Sequence, residues 1–483
     1  MNQAADVLSN RGPTNGPRLF LTLAAAAYVA ALAALLSLGQ YSLLAYLAVA
    51  TTCVVVFMAP TQYGLALFVF FASVAGFLKE VTNYATAVHL ANDLVYGCLL
   101  LGFGFRCLFQ RQSMWVWADL GSPIAILWSS AVLLSFAPWT TPLQAAGGWK
   151  AYVLPALLVP VAAVTYSVPG RLRPLLIAII AAGTINSIAS IIELQIGPHA
   201  IGAWGGPGFA GAVGPNSIIF DVTGHSGWRP FGLTQDAGTA VAVEALAVIV
   251  VAALAARARR GRVLLLALLP VPLAGVVLSG VRVGIVMTLA GVLGVLLMRE
   301  RGGFGRNASR ALVVAATAGL AALVLFTSAP FLVRERATTL TDPATLMGAR
   351  GFLVAQVAPF LVQHPLGAGM GKIVPAGQLL STLAGVAPDA YASENMLYAM
   401  SVELGVMGAA FVLAFWYILG RGAMRRIRQG AGSQQSEIGF VVCIAFAASA
   451  FAGPLIVAQP GNLLLWIFAT AALLKNAGDP PDR

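Results

Sequence analysis

Apolar residues in this chain do not alternate with polar ones. They come in unbroken runs of roughly 17 to 25, each long enough to cross about 30 Å of hydrocarbon as a helix. About fourteen runs follow one another: Leu19 to Leu38, Tyr41 to Ala59, Gln62 to Leu78, Val88 to Phe109, Leu120 to Phe136, Ala151 to Val168, Pro174 to Ile196, Ala237 to Ala256, Val263 to Ser279, Val281 to Met298, Ala311 to Ser328, Met396 to Leu419, Ile438 to Pro454 and Gly461 to Leu474. In lipid only a helix satisfies its own backbone at this length. The predicted fold class is an all-α polytopic membrane protein, a bundle of about 14 (12–14) transmembrane helices. The polar stretch Met1 to Pro17 precedes a first run too long for a signal peptide and without a small-residue cleavage site, so that run is expected to stay as a span.

The runs divide the chain into a tail over 1–18, seven spans over 19–196, a Gly/Pro-rich loop over 197–236 and four spans over 237–328. A long loop over 329–395, three spans over 396–475 and a short tail over 476–483 complete it. The 329–395 segment is too long for a plain connection and is predicted to carry a helix of its own from Leu346 to Gln363.

Composition agrees with the pattern. Hydrophobic residues make up 59% of the chain and charged residues 9%, with a mean hydropathy of +0.86, well outside the soluble globular range. Charge then orients the spans. With both termini inside, twenty of the 28 Lys+Arg fall in predicted cytoplasmic segments, from Arg11 and Arg18 through Arg257, Arg259, Arg260 and Arg262 to Lys475 and Arg483. The net charge of +11 is mostly this topological signal, so nucleic-acid binding is not implied. Eight basic residues remain on the opposite side: Lys79, Lys150, Arg229, Arg282, Arg334, Arg336, Arg350 and Lys372.

The four cysteines, Cys53, Cys98, Cys107 and Cys443, all lie within or at the ends of spans, the pattern of small buried residues rather than of a disulfide set. The histidines are scattered and no pair has metal-ligand spacing. With no P-loop, dinucleotide fingerprint or G-x-S-x-G, neither metal nor cofactor is expected.

Candidate chemistry sits on the side poor in positive charge. Arg282 opens an apolar span after Leu278-Ser279-Gly280-Val281, where an arginine is costly unless it is paired or faces water. It either snorkels to the interface or pairs with Glu193 or Glu244, or it grips an anion. Arg229, in Trp228-Arg229-Pro230-Phe231-Gly232, either stacks on Trp228 or does the same. The planar guanidinium fork suits a pair of phosphate oxygens, so two external arginines would suit a diphosphate. Glu394, in Ser393-Glu394-Asn395, either stabilises the start of the next helix or serves as a general base toward a sugar hydroxyl. Asp236 either caps a helix or binds glycan, and Glu403 is expected to pair inside the bundle.

Four segments together resemble the O-antigen ligase and Wzy-type polymerase superfamily. They are Trp228-Arg229-Pro230-Phe231-Gly232-Leu233; Leu278-Ser279-Gly280-Val281-Arg282-Val283-Gly284; Ala349-Arg350-Gly351 with His364-Pro365-Leu366-Gly367-Ala368-Gly369-Met370-Gly371; and Ser393-Glu394-Asn395-Met396-Leu397-Tyr398 with Glu403-Leu404-Gly405-Val406-Met407-Gly408. The resemblance covers about Gly197 to Gly408. It implies a bundle like that of C-type glycosyltransferases in a bacterial inner membrane, acting at its outer face on glycans carried by undecaprenyl diphosphate. It also implies Arg229 and Arg282 on the donor diphosphate, with Arg350 as a further contact; Asp236, Asn395 and His364 are the candidate contacts to the glycan. Glu394 stands where ligases of this family carry a histidine, which favours a polymerase of O-antigen or exopolysaccharide repeats over a ligase. A lipid-linked oligosaccharide flippase or other transporter, and a non-catalytic partner of envelope polysaccharide-assembly proteins, are the alternatives.

Overall fold

The computed structural model describes residues 40–82, 88, 90–110, 120–196, 219–222, 225–234, 236–258, 260–297, 304–327, 333–334, 343–374, 395–429, 434–452 and 460–474. The predicted span Leu19 to Leu38 and Glu394 lie outside them. The described helices are α1 (Tyr41–Met58), α2 (Thr61–Val81), α3 (Ala91–Gln110), α4 (Gly121–Ser135), α5 (Pro142–Gly148), α6 (Leu158–Tyr166), α7 (Arg173–Ile196), α8 (Ala237–Arg257), α9 (Arg262–Ala267), α10 (Pro270–Leu278), α11 (Arg282–Leu297), α12 (Phe304–Thr327), α13 (Pro343–Gln363), α14 (Met396–Gln429), α15 (Gln434–Ala452) and α16 (Gly461–Leu473). Within the described residues, every predicted run from Tyr41 onward falls on helix, that of Val263 to Ser279 on the two helices α9 and α10, and α13 covers the helix expected from Leu346. Eight helices among the described residues are long and apolar enough to cross a membrane. Large apolar side chains such as Leu101, Leu108, Phe109, Val263 and Leu264 point outward, which only a lipid surround makes favourable. The architecture is that of an α-helical membrane protein.

α8 is the axis of the bundle. Nearly its whole length is buried, and α7, α10, α11 and α12 pack around it. Small residues allow the close crossings: a Cβ on Gly183 of α7 would stand 2.4 Å from that of Ala247, and one on Gly284 of α11 would stand 2.1 Å from Val241. These contacts, with Gly291 against Ile249, make α8 and α11 parallel, so both begin at the same end of the molecule. At the opposite end Arg257 of α8 pairs with Glu437 of α15, and Gly422 of α14 meets Leu473 of α16. Lys79, Lys150, Arg229, Arg282 and Lys372 therefore share the first end, and Arg106, Arg257, Arg262 and Arg421 share the other. This is the alternation read from the sequence.

One span departs from a straight helix. The region read as Ala151 to Val168 starts earlier, at Pro142, and passes through a π-helical turn over Trp149–Val153 before α6. Pro155 has no N–H to donate to the Ala151 carbonyl, and the side chain of Asn462 in α16 supplies that bond instead at 3.1 Å. Tyr96 of α3 likewise donates its hydroxyl to the Leu154 carbonyl at 2.5 Å. The loop read as 197–236 also holds what the sequence reading missed, an antiparallel hairpin of β1 (Ile219–Val222) and β2 (His225–Trp228).

Candidate functional site

The segment that leaves β2 does not run over the surface. Phe231, Gly232 and Thr234 are buried between α2 and α7, so their backbone needs partners inside the bundle. Glu193, near the end of α7, accepts from the N–H groups of Phe231 (2.9 Å) and Gly232 (3.0 Å). Asn186, two turns below, accepts from Leu233 N–H at 2.9 Å while donating to the carbonyls of Ser73 and Ala182. Phe77 of α2 donates to the Leu233 carbonyl at 3.0 Å. Gly232 has φ +59, and a Cβ there would meet the Asn186 carbonyl at 2.8 Å, so only glycine fits. The result is a non-helical strap, 231–234, pinned by two polar side chains of α7.

Arg229 stands half-buried at the entrance of this strap, and Asp236 at its exit. Both Asp236 carboxylate oxygens are used on Thr239, on its N–H (2.8 Å) and its hydroxyl (2.6 Å), so the residue caps α8. Arg282 is the first residue of α11. Ser279 is buried, with its hydroxyl on the Val276 carbonyl (2.8 Å) and accepting from Val281 N–H (3.2 Å), and Gly280 turns the chain at φ +64. The α11 dipole adds to the arginine's own charge at this end rather than offsetting it, and the first turn holds no acidic residue. Of the two carboxylates weighed as partners for Arg282, Glu193 accepts the strap's N–H groups through Oε2, and Glu244 is fully buried with its Oε1 on Ser190 at 3.0 Å.

A second non-helical segment lies at the same end. α14 is broken at Gly405 (φ 62, ψ −144), and the chain after α13 fits into the break. Ala368 N–H bonds the Val402 carbonyl at 2.6 Å, taking the acceptor a regular helix would give to Val406, whose own N–H turns to the Pro365 carbonyl at 2.9 Å. Glu403, fully buried, accepts from the N–H groups of Gly371 (2.8 Å), Ile373 (2.5 Å) and Val374 (2.9 Å), with the Tyr152 hydroxyl beside it. The expected pairing of Glu403 inside the bundle is thus a loop clamp made of backbone N–H groups, not an ion pair.

The remaining expected residues spread around this loop. Asn395 is 1% exposed and caps α14, its Oδ1 taking Tyr398 N–H at 3.1 Å, while its Nδ2 has no hydrogen-bond partner among the described residues. His364 is exposed, its ring 4.9 Å from that of Phe360. Arg350 lies in α13, and its side chain is outside the described residues. The four cysteines are free, and no cluster of metal-ligating side chains occurs among the described residues.

Sequence reasoning missed Asn186 and Asp93, and it did not see that Glu193 builds the strap with Asn186 or that Lys79 and Lys150 gather around Asp93. The one signal for Glu193 and Asn186 was polar residues spaced seven apart within an apolar helix, which places them on one face. No protein-family model, no curated protein and no solved structure matches the chain.

Proposed function

We propose that the protein is a glycan polymerase, a metal-independent glycosyltransferase that joins undecaprenyl-diphosphate-linked oligosaccharide repeats at the outer face of a bacterial inner membrane, in O-antigen or exopolysaccharide biosynthesis. In this reading the bundle has about fourteen spans, is like that of the C-type glycosyltransferases, and has both termini in the cytoplasm. The observation that carries it is the pair of half-buried arginines, Arg229 and Arg282, at one end of the bundle, each two or three residues from a glycine that turns the chain, Gly232 and Gly280. Two guanidinium forks at one end of an apolar bundle suit a diphosphate whose lipid tail stays in the bilayer. The motif resemblance supplies the sugar chemistry.

The reaction is a single displacement. Glu394 takes the proton of an acceptor hydroxyl, whose oxygen forms a bond to the anomeric carbon of the donor sugar as the bond from that carbon to the diphosphate oxygen breaks. The electron pair leaves on the polyprenyl diphosphate, where Arg229 and Arg282 stabilise the growing charge. Asn395, next to Glu394 in the chain and buried with an Nδ2 that has no partner among the described residues, is equipped to hold a glycan hydroxyl. Rigid placement by the Glu193 strap and the Glu403 clamp favours the reacting geometry.

Proteoliposomes carrying the pure protein and purified lipid-linked repeats test the reading. A ladder of lengthened glycans on the lipid carrier is expected. Transfer to a different acceptor would make it a ligase, movement across the bilayer without a new bond a flippase, and none of these a non-catalytic partner of the envelope assembly proteins.

A further inference from the structure

The end of the bundle that carries Arg229 and Arg282 holds a second positive group that the proposed reaction does not use. Lys79, in the last turn of α2, is 5% exposed, and its ammonium has no hydrogen bond or ion pair among the described residues. It lies within electrostatic reach of Lys150 and Asp93. Lys150 bonds Asp93 at 2.6 Å, with side-chain exposures of 32% and 29%. Among the described residues, Asp93 is therefore the carboxylate set against both ammonium groups. The C-terminal dipole of α2 offsets part of the remaining charge, but among the described residues the buried cation has no carboxylate of its own.

The scaffold makes this a built site. Lys150 belongs to the π-helical turn, whose Tyr152 faces the Glu403 clamp. Phe77, two residues before Lys79, holds the strap that Arg229 precedes. Lys79 forms a buried floor, and the partly exposed Lys150 and Asp93 form its mouth. α7 and α8 pack between α2 and α11, so this group and Arg282 are separate stations at one end of the molecule.

We propose that Lys79 and Lys150 form a second phosphate subsite that holds the diphosphate of the other lipid-linked oligosaccharide, the one whose sugar hydroxyl is the acceptor. The inference rests on the polymerase reading, since a polymerase handles two diphosphate-linked lipids and a ligase only one. The division of residue types fits it. The leaving diphosphate gains charge during the reaction and profits from the paired donors of arginine, whereas the acceptor's diphosphate is a spectator that lysine can hold as a point charge. Asp93 shields the lysines and gives way when the stronger anion arrives.

The test is native mass spectrometry of the full-length protein in neutral-lipid nanodiscs titrated with farnesyl diphosphate, alongside acceptor kinetics in proteoliposomes. Two bound equivalents are expected for the parent protein and one for K79Q and K150Q, with KM for the acceptor repeat raised about tenfold or more and kcat nearly unchanged. D93N, which removes the competing carboxylate, should tighten the second equivalent, and this variant keeps the test decisive if K79Q fails to fold. A single equivalent in the parent, a K79Q stoichiometry equal to the parent's, or a second equivalent that D93N weakens would overturn the proposal. So would displacement of that equivalent by phosphatidylglycerol nanodiscs, which would make the site one for bulk headgroups. Two equivalents without glycan lengthening would sink the polymerase reading and leave the subsite standing.

Discussion

Replacing Glu403 by alanine leaves the N–H groups of Gly371, Ile373 and Val374 buried without an acceptor. An orphaned buried donor costs about 1–3 kcal/mol, so three cost roughly 3–9 kcal/mol before the loop relaxes, and release of the 365–374 segment is the cheaper outcome. Glutamine keeps one oxygen. If that oxygen takes the place of Oε1, Ile373 and Val374 remain bonded and only Gly371 meets an amide N–H, for a loss of about 1–3 kcal/mol. Hydrogen–deuterium exchange of the peptide over 365–374, measured in nanodiscs, reads this directly. Glu403→Ala is expected to speed exchange there by about a hundredfold or more, the equivalent of some 3 kcal/mol, and Glu403→Gln by roughly tenfold. Exchange in α8 should not change. Alanine and glutamine variants indistinguishable from the parent in this peptide would show that the clamp is not what holds the loop, and the reasoning would fail.

Other expectations follow from the same geometry. Gly405→Ala puts a Cβ 2.1 Å from the Pro365 carbonyl on a backbone at φ 62, so it should undock the same loop and abolish activity while α14 still inserts, as seen by protease protection. Glu193→Ala orphans the N–H groups of Phe231 and Gly232 and should cost roughly 2–6 kcal/mol locally, raising exchange over 229–234 and lowering activity with normal expression. Asp236→Ala should lower thermal stability by about 1 kcal/mol, the worth of an N-cap, with little change in substrate KM; a large KM effect would return Asp236 to the glycan site. Arg282→Lys keeps the charge but loses the two-pronged grip, and should lower kcat/KM by about tenfold or more, read from initial rates of glycan lengthening.

The sequence makes the helices legible because membrane insertion is set by long-range hydropathy, which needs no knowledge of neighbours. Arg282 and Arg229 were visible for the same reason, as costly exceptions to a one-sided charge distribution. Glu193, Asn186 and Glu403 were not assignable, since a polar residue in an apolar helix does not say which distant backbone it will satisfy. Their partners lie 29 to 47 residues away in the chain for the loop clamp and strap bonds. The π-helical turn follows from Pro155, but its acceptor rescue by Asn462 depends on the packing of α16. Lys79 looked like one more loop-facing lysine until α2 extended to Val81 and buried it beside Lys150.

The central claim is that Arg229 and Arg282 act on a departing lipid diphosphate with Glu394 as base. Its most direct test is the initial rate of glycan lengthening from purified lipid-linked repeats by the parent protein and by Arg229→Ala, Arg282→Ala and Glu394→Gln variants that insert normally. The account predicts a ladder for the parent and a fall of about 10²–10³ in kcat for Arg282→Ala and for Glu394→Gln. Lengthening at the parental rate by both of those variants would contradict it.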